Sequence, residues 1–121
     1  MNARKAVRHA AVVQRRQDLE SGSAVITGIP VWIDNVSQAK LAGAASLAAR
    51  MPDISIDWKG SDGQSYPLDA AQIDALSMAV GLHIQALFSH EATLTGQIAA
   101  AETLDDLDLI DIAGGWPGQE T

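Results

Sequence analysis

Few residues in this chain are of types and spacings that could do chemistry. His83 and His90 lie seven apart, about 10.5 Å along one helix face, too far to share a metal ion unless several chains meet at an axis. A polar flank on a helix is the plainer reading. Asp105, Asp106, Asp108 and Asp111 invite a calcium reading, but an EF-hand loop needs a central glycine and a closing glutamate. Leu107, Leu109 and Ile110 between them instead fit a helix with a solvated acidic face. No Gly-x-Ser-x-Gly element accompanies the serines, and Gly60-Ser61-Asp62-Gly63 is a turn rather than a phosphate loop. The chain is therefore expected to have no catalytic residues, no metal and no cofactor.

Partner-binding chemistry is better represented. Arg4, Lys5, Arg8, Arg15 and Arg16 precede every acid, and the remaining residues hold three bases against fifteen acids. A solvated basic helix is one reading; a basic arm for an acidic partner, including another copy's acidic segment at 102–111, is the other. Nucleic acid fits poorly, because the acidic bulk would repel phosphate. Trp32, Trp58 and Trp116 read first as core anchors, and Trp116, beside Pro117, is the one best placed to face a partner instead.

The elements that must position these residues follow from the pattern. At 121 residues the chain is one domain, with a basic helix over residues 1–22 and an α+β body over 23–121. Its hydrophobic fraction is 47% but aromatics supply only 4%, so the core is expected to be thin. The absence of cysteine excludes disulfides and thiolate metal sites. No signal-peptide pattern or apolar run of about 18 residues suggests secretion or a membrane span.

Residues 3–20 read as a helix with a weak stripe of Val7, Ala10, Val13 and the stem of Arg16. Ala24 to Thr27 and Ile29 to Ile33 read as a hairpin or bulged ribbon split by Gly28, with Pro30 at an edge or strand start. Ser37 is positioned to cap a helix to Arg50, with Val36 and Leu41 as a staple. The glycines and alanines of that helix would allow close approach. Ile54, Ile56 and Trp58 alternate with polar residues as a half-buried strand does, Asp62-Gly63 turns the chain, and Pro67 ends the return strand.

Asp69 with Gln72, and Leu68 with Ile73, mark the start of a helix running to about Ala101. Val80, Leu87 and Leu94 recur in it every seventh residue, either as a coiled-coil seam or as the inner stripe of a helix laid across its own domain. Gly81 and Gly96 weaken it or mark close contacts. Thr103 and Asp106 resemble a capping box for a last helix to about Ile112. The fold class is α+β: two short antiparallel β-ribbons against one long helix, with an N-terminal helix and a short C-terminal one.

The order Val25-x-x-Gly28-Ile29-x-Val31-x-x-Asp34, Leu41-Ala42-Gly43-Ala44-Ala45, Trp58-Lys59-x-x-Asp62-Gly63, Leu68-Asp69-Ala70, His83-Ile84-Gln85-Ala86 and Trp116-Pro117 resembles a small uncharacterised domain. That domain occurs in tail-fibre-associated and other tail proteins of phages and prophages. The resemblance covers about residues 15–118. Ile33 stands before Asp34 where that pattern leads one to expect threonine, and no cap is assigned there. The resemblance implies a non-enzymatic tail component, a structural or docking module of the fibre or baseplate region, located in the virion or in the host bacterial cytoplasm during assembly. The alternative it implies is a fibre assembly chaperone absent from the finished particle. Expected partners are other tail proteins and possible further copies of the chain. Arg4, Lys5, Arg8, Arg15, Arg16, Val80, Leu87, Leu94 and Trp116 are the candidate contact residues.

Overall fold

A computed structural model describes residues 1–118. The elements are α1 (Asn2–Glu20), β1 (Ser23–Ile26), β2 (Ile29–Trp32), α2 (Asn35–Arg50), β3 (Ser55–Lys59), β4 (Ser65–Asp69), α3 (Ala70–Ala100) and α4 (Leu104–Asp108). The fold is α+β, with two separate two-stranded antiparallel sheets, β1–β2 and β3–β4. Two compact units divide the chain. One is Glu20–Ile84; the other joins Met1–Leu19 to the residues from Gln85 onward, so the boundary falls inside α3. The N-terminal helix thus shares a unit with the second half of α3.

In the Glu20–Ile84 unit, Thr27 (φ 50°) and Gly28 (φ 82°) close β1–β2. Two successive positive φ angles match the twist of the flanking strands. The Ile33 N–H donates to Gly22 O at 3.0 Å, which sets the phase of the ladder. Ala24–Val31 and Ile26–Ile29 are then bonded pairs, while Ser23–Trp32 and Val25–Pro30 are non-bonded ones. Pro30 consequently loses no donor. Its carbonyl points away from β1 and accepts the Ser61 N–H at 2.8 Å, tying the second ribbon to the first.

Asp34, not Ser37, caps α2: its carboxylate accepts the Ser37 N–H at 2.9 Å. The cap depends on the Asp34 carboxylate itself, so Ile33 in front of it is no hindrance and is buried instead. Val36 stays exposed, so the expected staple to Leu41 does not close. The Asp34 carboxyl lies below its usual range because Ser37 donates to it from side chain and backbone.

The β3–β4 turn is built on the Gly60 N–H to Gln64 O bond (2.8 Å) and the Gly63 N–H to Gly60 O bond (3.0 Å). Pro67 does not end the return strand. It sits within β4 opposite Asp57, and the Gly60–Gln64 pair places it at a non-bonded slot where a missing N–H costs the ladder nothing. The strand runs on to Asp69. There the Gln72 N–H bonds to Asp69 Oδ1 and the Asp69 N–H to Gln72 Oε1, each at 2.8 Å, closing the reciprocal cap read from sequence.

α3 is long and apolar enough, by length and composition alone, to cross a membrane, a test that the core helix of a globular protein also passes. Its largest aliphatic stripe is turned inward here. Ile73, Leu76, Val80 and Ile84 are buried in the Glu20–Ile84 unit, and Leu87, Leu94 and Ile98 in the other. A β-carbon at Gly43, Gly81 or Gly96 would meet no atom within 4 Å, so none of these glycines marks a close approach.

In the other unit the inward face of α1 is not the expected one. Val12 is buried while Val7 is 70% exposed. Lys5, Arg8, Val12, Arg16 and Leu19 share the covered side, at the 3-4 spacing of one helix face. Thr103 caps α4 by accepting the Asp106 N–H at 3.0 Å, and the helix stops at Asp108, short of the expected Ile112.

Candidate functional site

Four of the five basic residues of α1, Arg4, Lys5, Arg8 and Arg16, are engaged within their own unit. The Lys5 ammonium donates to Ala99 O at 2.9 Å, reaching a carbonyl in the last turn of α3. Cations are favoured at such a helix end. Arg8 donates to Ile110 O, and its Nε is buried with no partner among the described residues. Arg16 Nε donates to Glu91 Oε2 at 2.7 Å, both side chains being mostly covered, and the guanidinium lies 4.7 Å from the Phe88 ring centroid. Arg4 faces Asp108 at 3.7 Å, where both are well exposed. Arg15 is half-buried. The basic helix is therefore not a free arm: its contact with the acidic segment runs within one chain. The groove beside it, about 340 Å³, is lined by Ala3, Arg4, Val7, Arg8 and Asp108. Its two guanidinium groups already serve Asp108 and Ile110.

The apolar candidates are corrected in the same sense. Val80, Leu87 and Leu94 are buried and offer no seam to another chain. Trp116, expected to face a partner, is 0% exposed. Its indole N–H donates to Ile112 O at 3.0 Å. His90 packs edge-on against it at 4.4 Å, with the imidazole Nε2 3.2 Å from Gly114 O. His90 is thus a packing residue that folds the C-terminal turns onto α3, a role its sequence context did not signal. Among the described residues no three histidine, aspartate or glutamate side chains gather as a metal site would require.

One apolar surface open to a partner is the outward face of the β1–β2 ribbon. The non-bonded pairs Ser23–Trp32 and Val25–Pro30 lie on one face, because cross-strand partners and alternate residues share a side. Val25 is 71% exposed and Trp32 51%, so a solvent-facing sheet surface carries a large aliphatic and an indole. The corresponding exposed positions of the second ribbon are polar or proline: Ser55, Asp57 and Lys59 face Asp69, Pro67 and Ser65. Exposed tryptophan next to aliphatic surface is the composition of a protein-binding patch. The sequence did carry a signal for it. Residues 21–33 contain no charge, and both alternating faces of β1 are apolar, Ala24 and Ile26 on one side and Val25 on the other.

No curated protein and no solved structure matches the chain significantly. A family model does match, across residues 3–113, which takes in every helix and strand except the first residue of α1. The chain belongs to the family described as a domain of unknown function, DUF4376.

Proposed function

We propose that the protein is a non-enzymatic component of a bacteriophage or prophage tail, a structural or docking module of the fibre or baseplate region. The sequence resemblance supplies the tail context. The observation that carries the docking role is the apolar outward face of β1–β2, with Val25 71% and Trp32 51% exposed. An exposed indole on a rigid ribbon is suited to anchor a partner at low entropic cost. Arg4, Lys5, Arg8 and Arg16 of α1 already have acceptors within the chain, so the apolar face rather than the basic helix makes the contact in this reading.

Mass spectrometry of purified particles tests it. A tail component is present in fixed ratio to the fibre or baseplate proteins, and Trp32→Ser lowers its incorporation by roughly tenfold or more, the scale of a hot-spot residue. A chain bound to fibre protein before assembly but missing from particles is the chaperone instead. A chain associated with no tail protein at either stage overturns both.

A further inference from the structure

Each two-stranded ribbon has two outer edges, and three of the four are guarded. Residues at non-bonded slots turn their backbone N–H and C=O groups away from the partner strand. On β2 these are Pro30, which has no N–H and whose carbonyl is taken by Ser61, and Trp32. On β3 they are Ser55, Asp57 and Lys59, and on β4 Ser65, Pro67 and Asp69. Charge and proline are the usual devices that keep an edge from pairing with another chain. On β1 the outward residues are Ser23 and Val25, with neither charge, proline nor bulge. Among the described residues no hydrogen bond reaches their N–H or C=O groups, and both side chains are exposed.

We infer that the β1 edge pairs with the β1 edge of a second copy, antiparallel, to make a four-stranded sheet in the order β2–β1–β1–β2. The register follows from which groups point outward. Ser23 bonds to Val25 of the partner copy and Val25 to its Ser23, with Ala24 facing Ala24 on the two-fold axis, giving about four interchain bonds. Alanine suits that axis, because a non-bonded antiparallel pair brings side chains closest together. The register is self-complementary, each copy's Ser23 and Val25 serving the other's, and charge does not oppose it: the chain carries −7 overall, yet residues 21–33 carry none, so no like charges face each other across this edge. The pairing goes beyond the tail reading and stands without it. Its small size makes it a weak, concentration-dependent dimer, at the low end of specific interfaces.

Val25→Pro in the full chain is the discriminating variant. It deletes an outward N–H that the intrachain ladder does not use, directly opposite Pro30, which already occupies the matching slot. Sedimentation equilibrium of the wild type up to millimolar chain should show a dimer. The variant, with an unchanged far-ultraviolet spectrum, should weaken dimerisation at least tenfold. By amide exchange, the Ser23 and Val25 N–H groups should gain protection with rising concentration, whereas those of Ala24 and Ile26 are protected throughout. A wild type that stays monomeric with freely exchanging Ser23 and Val25 amides overturns the inference. So does a dimer that survives Val25→Pro, which would place the contact elsewhere. Should Val25→Pro fail to fold, Ser23→Pro and the wild-type exchange profile decide by the same criteria.

Discussion

At the scale of single residues, the second turn holds the sharpest constraint. A β-carbon on Gly60 would lie 2.6 Å from Asp62 Oδ1, 2.8 Å from Pro30 O and 2.8 Å from Tyr66 Cε2. One of these is backbone, fixed by its bond to Ser61, so it cannot give way cheaply. Gly60→Ala should therefore destabilise by about 1–3 kcal/mol, the range for overpacking, read as a lower denaturant midpoint at unchanged slope. The same turn makes stability depend on pH. Asp62 accepts the Tyr66 O–H at 2.6 Å and the Gln64 N–H at 3.0 Å, and these bonds hold its carboxyl below the usual aspartate range. The same Asp62 bond, helped by burial, holds the Tyr66 phenol above its usual range. A depressed carboxyl contributes fully above its unfolded value and loses that contribution as pH falls through the folded one. A raised phenol contributes fully below its unfolded value and loses it as pH rises through the folded one. Tyr66→Phe should flatten both limbs and move the Asp62 midpoint, followed by carboxyl NMR, upward. An Asp62 midpoint unchanged in Tyr66→Phe would refute the assignment.

At the scale of elements, what could be read from sequence and what could not separate along physical lines. Signals complete within a few residues were legible: the Asp69–Gln72 reciprocal cap, the Asp62-Gly63 turn, the alternation at Ile56 and Trp58. Pro30 lies on an edge strand as expected, but Pro67 was misjudged because its effect depends on the phase of the ladder. Pro67 was expected to end β4 and instead occupies a slot whose N–H would point outward. The faces of α1 and the fate of Trp116 were illegible because they depend on partners far along the chain, such as Glu91 for Arg16 and His90 for Trp116. The same long-range context decides the glycines of α3. With open space around Gly81 and Gly96, each costs the helix backbone entropy and returns no packing. Gly81→Ala and Gly96→Ala should each stabilise the protein by about 0.5–1 kcal/mol, seen as higher thermal midpoints. A loss of stability at either would mean that the position is covered after all.

At the scale of the whole molecule, the two ends of the chain belong to one compact unit. α1 supplies buried Val12 together with the donors Lys5, Arg8 and Arg16, while the residues after Gln85 supply Leu94, Ile98, Leu107 and Trp116. The acceptors for those donors are Ala99 O, Ile110 O and Glu91, so α1 contributes polar hooks as much as apolar area. The other unit, Glu20–Ile84, has its own ribbons, caps and core. Removing residues 1–16 should therefore act unevenly. It takes away the hooks and Val12 and leaves the Glu91 carboxylate without its guanidinium. Amide exchange should show the protection of residues 85–118 falling sharply, while β1 to β4 and α2 keep theirs, and Trp116 emission should shift to the red in a Trp32→Phe, Trp58→Phe background. Local openings of this kind are expected where one segment carries a unit's contacts. Uniform loss of protection across both units would instead show that the continuous α3 couples them into a single cooperative body.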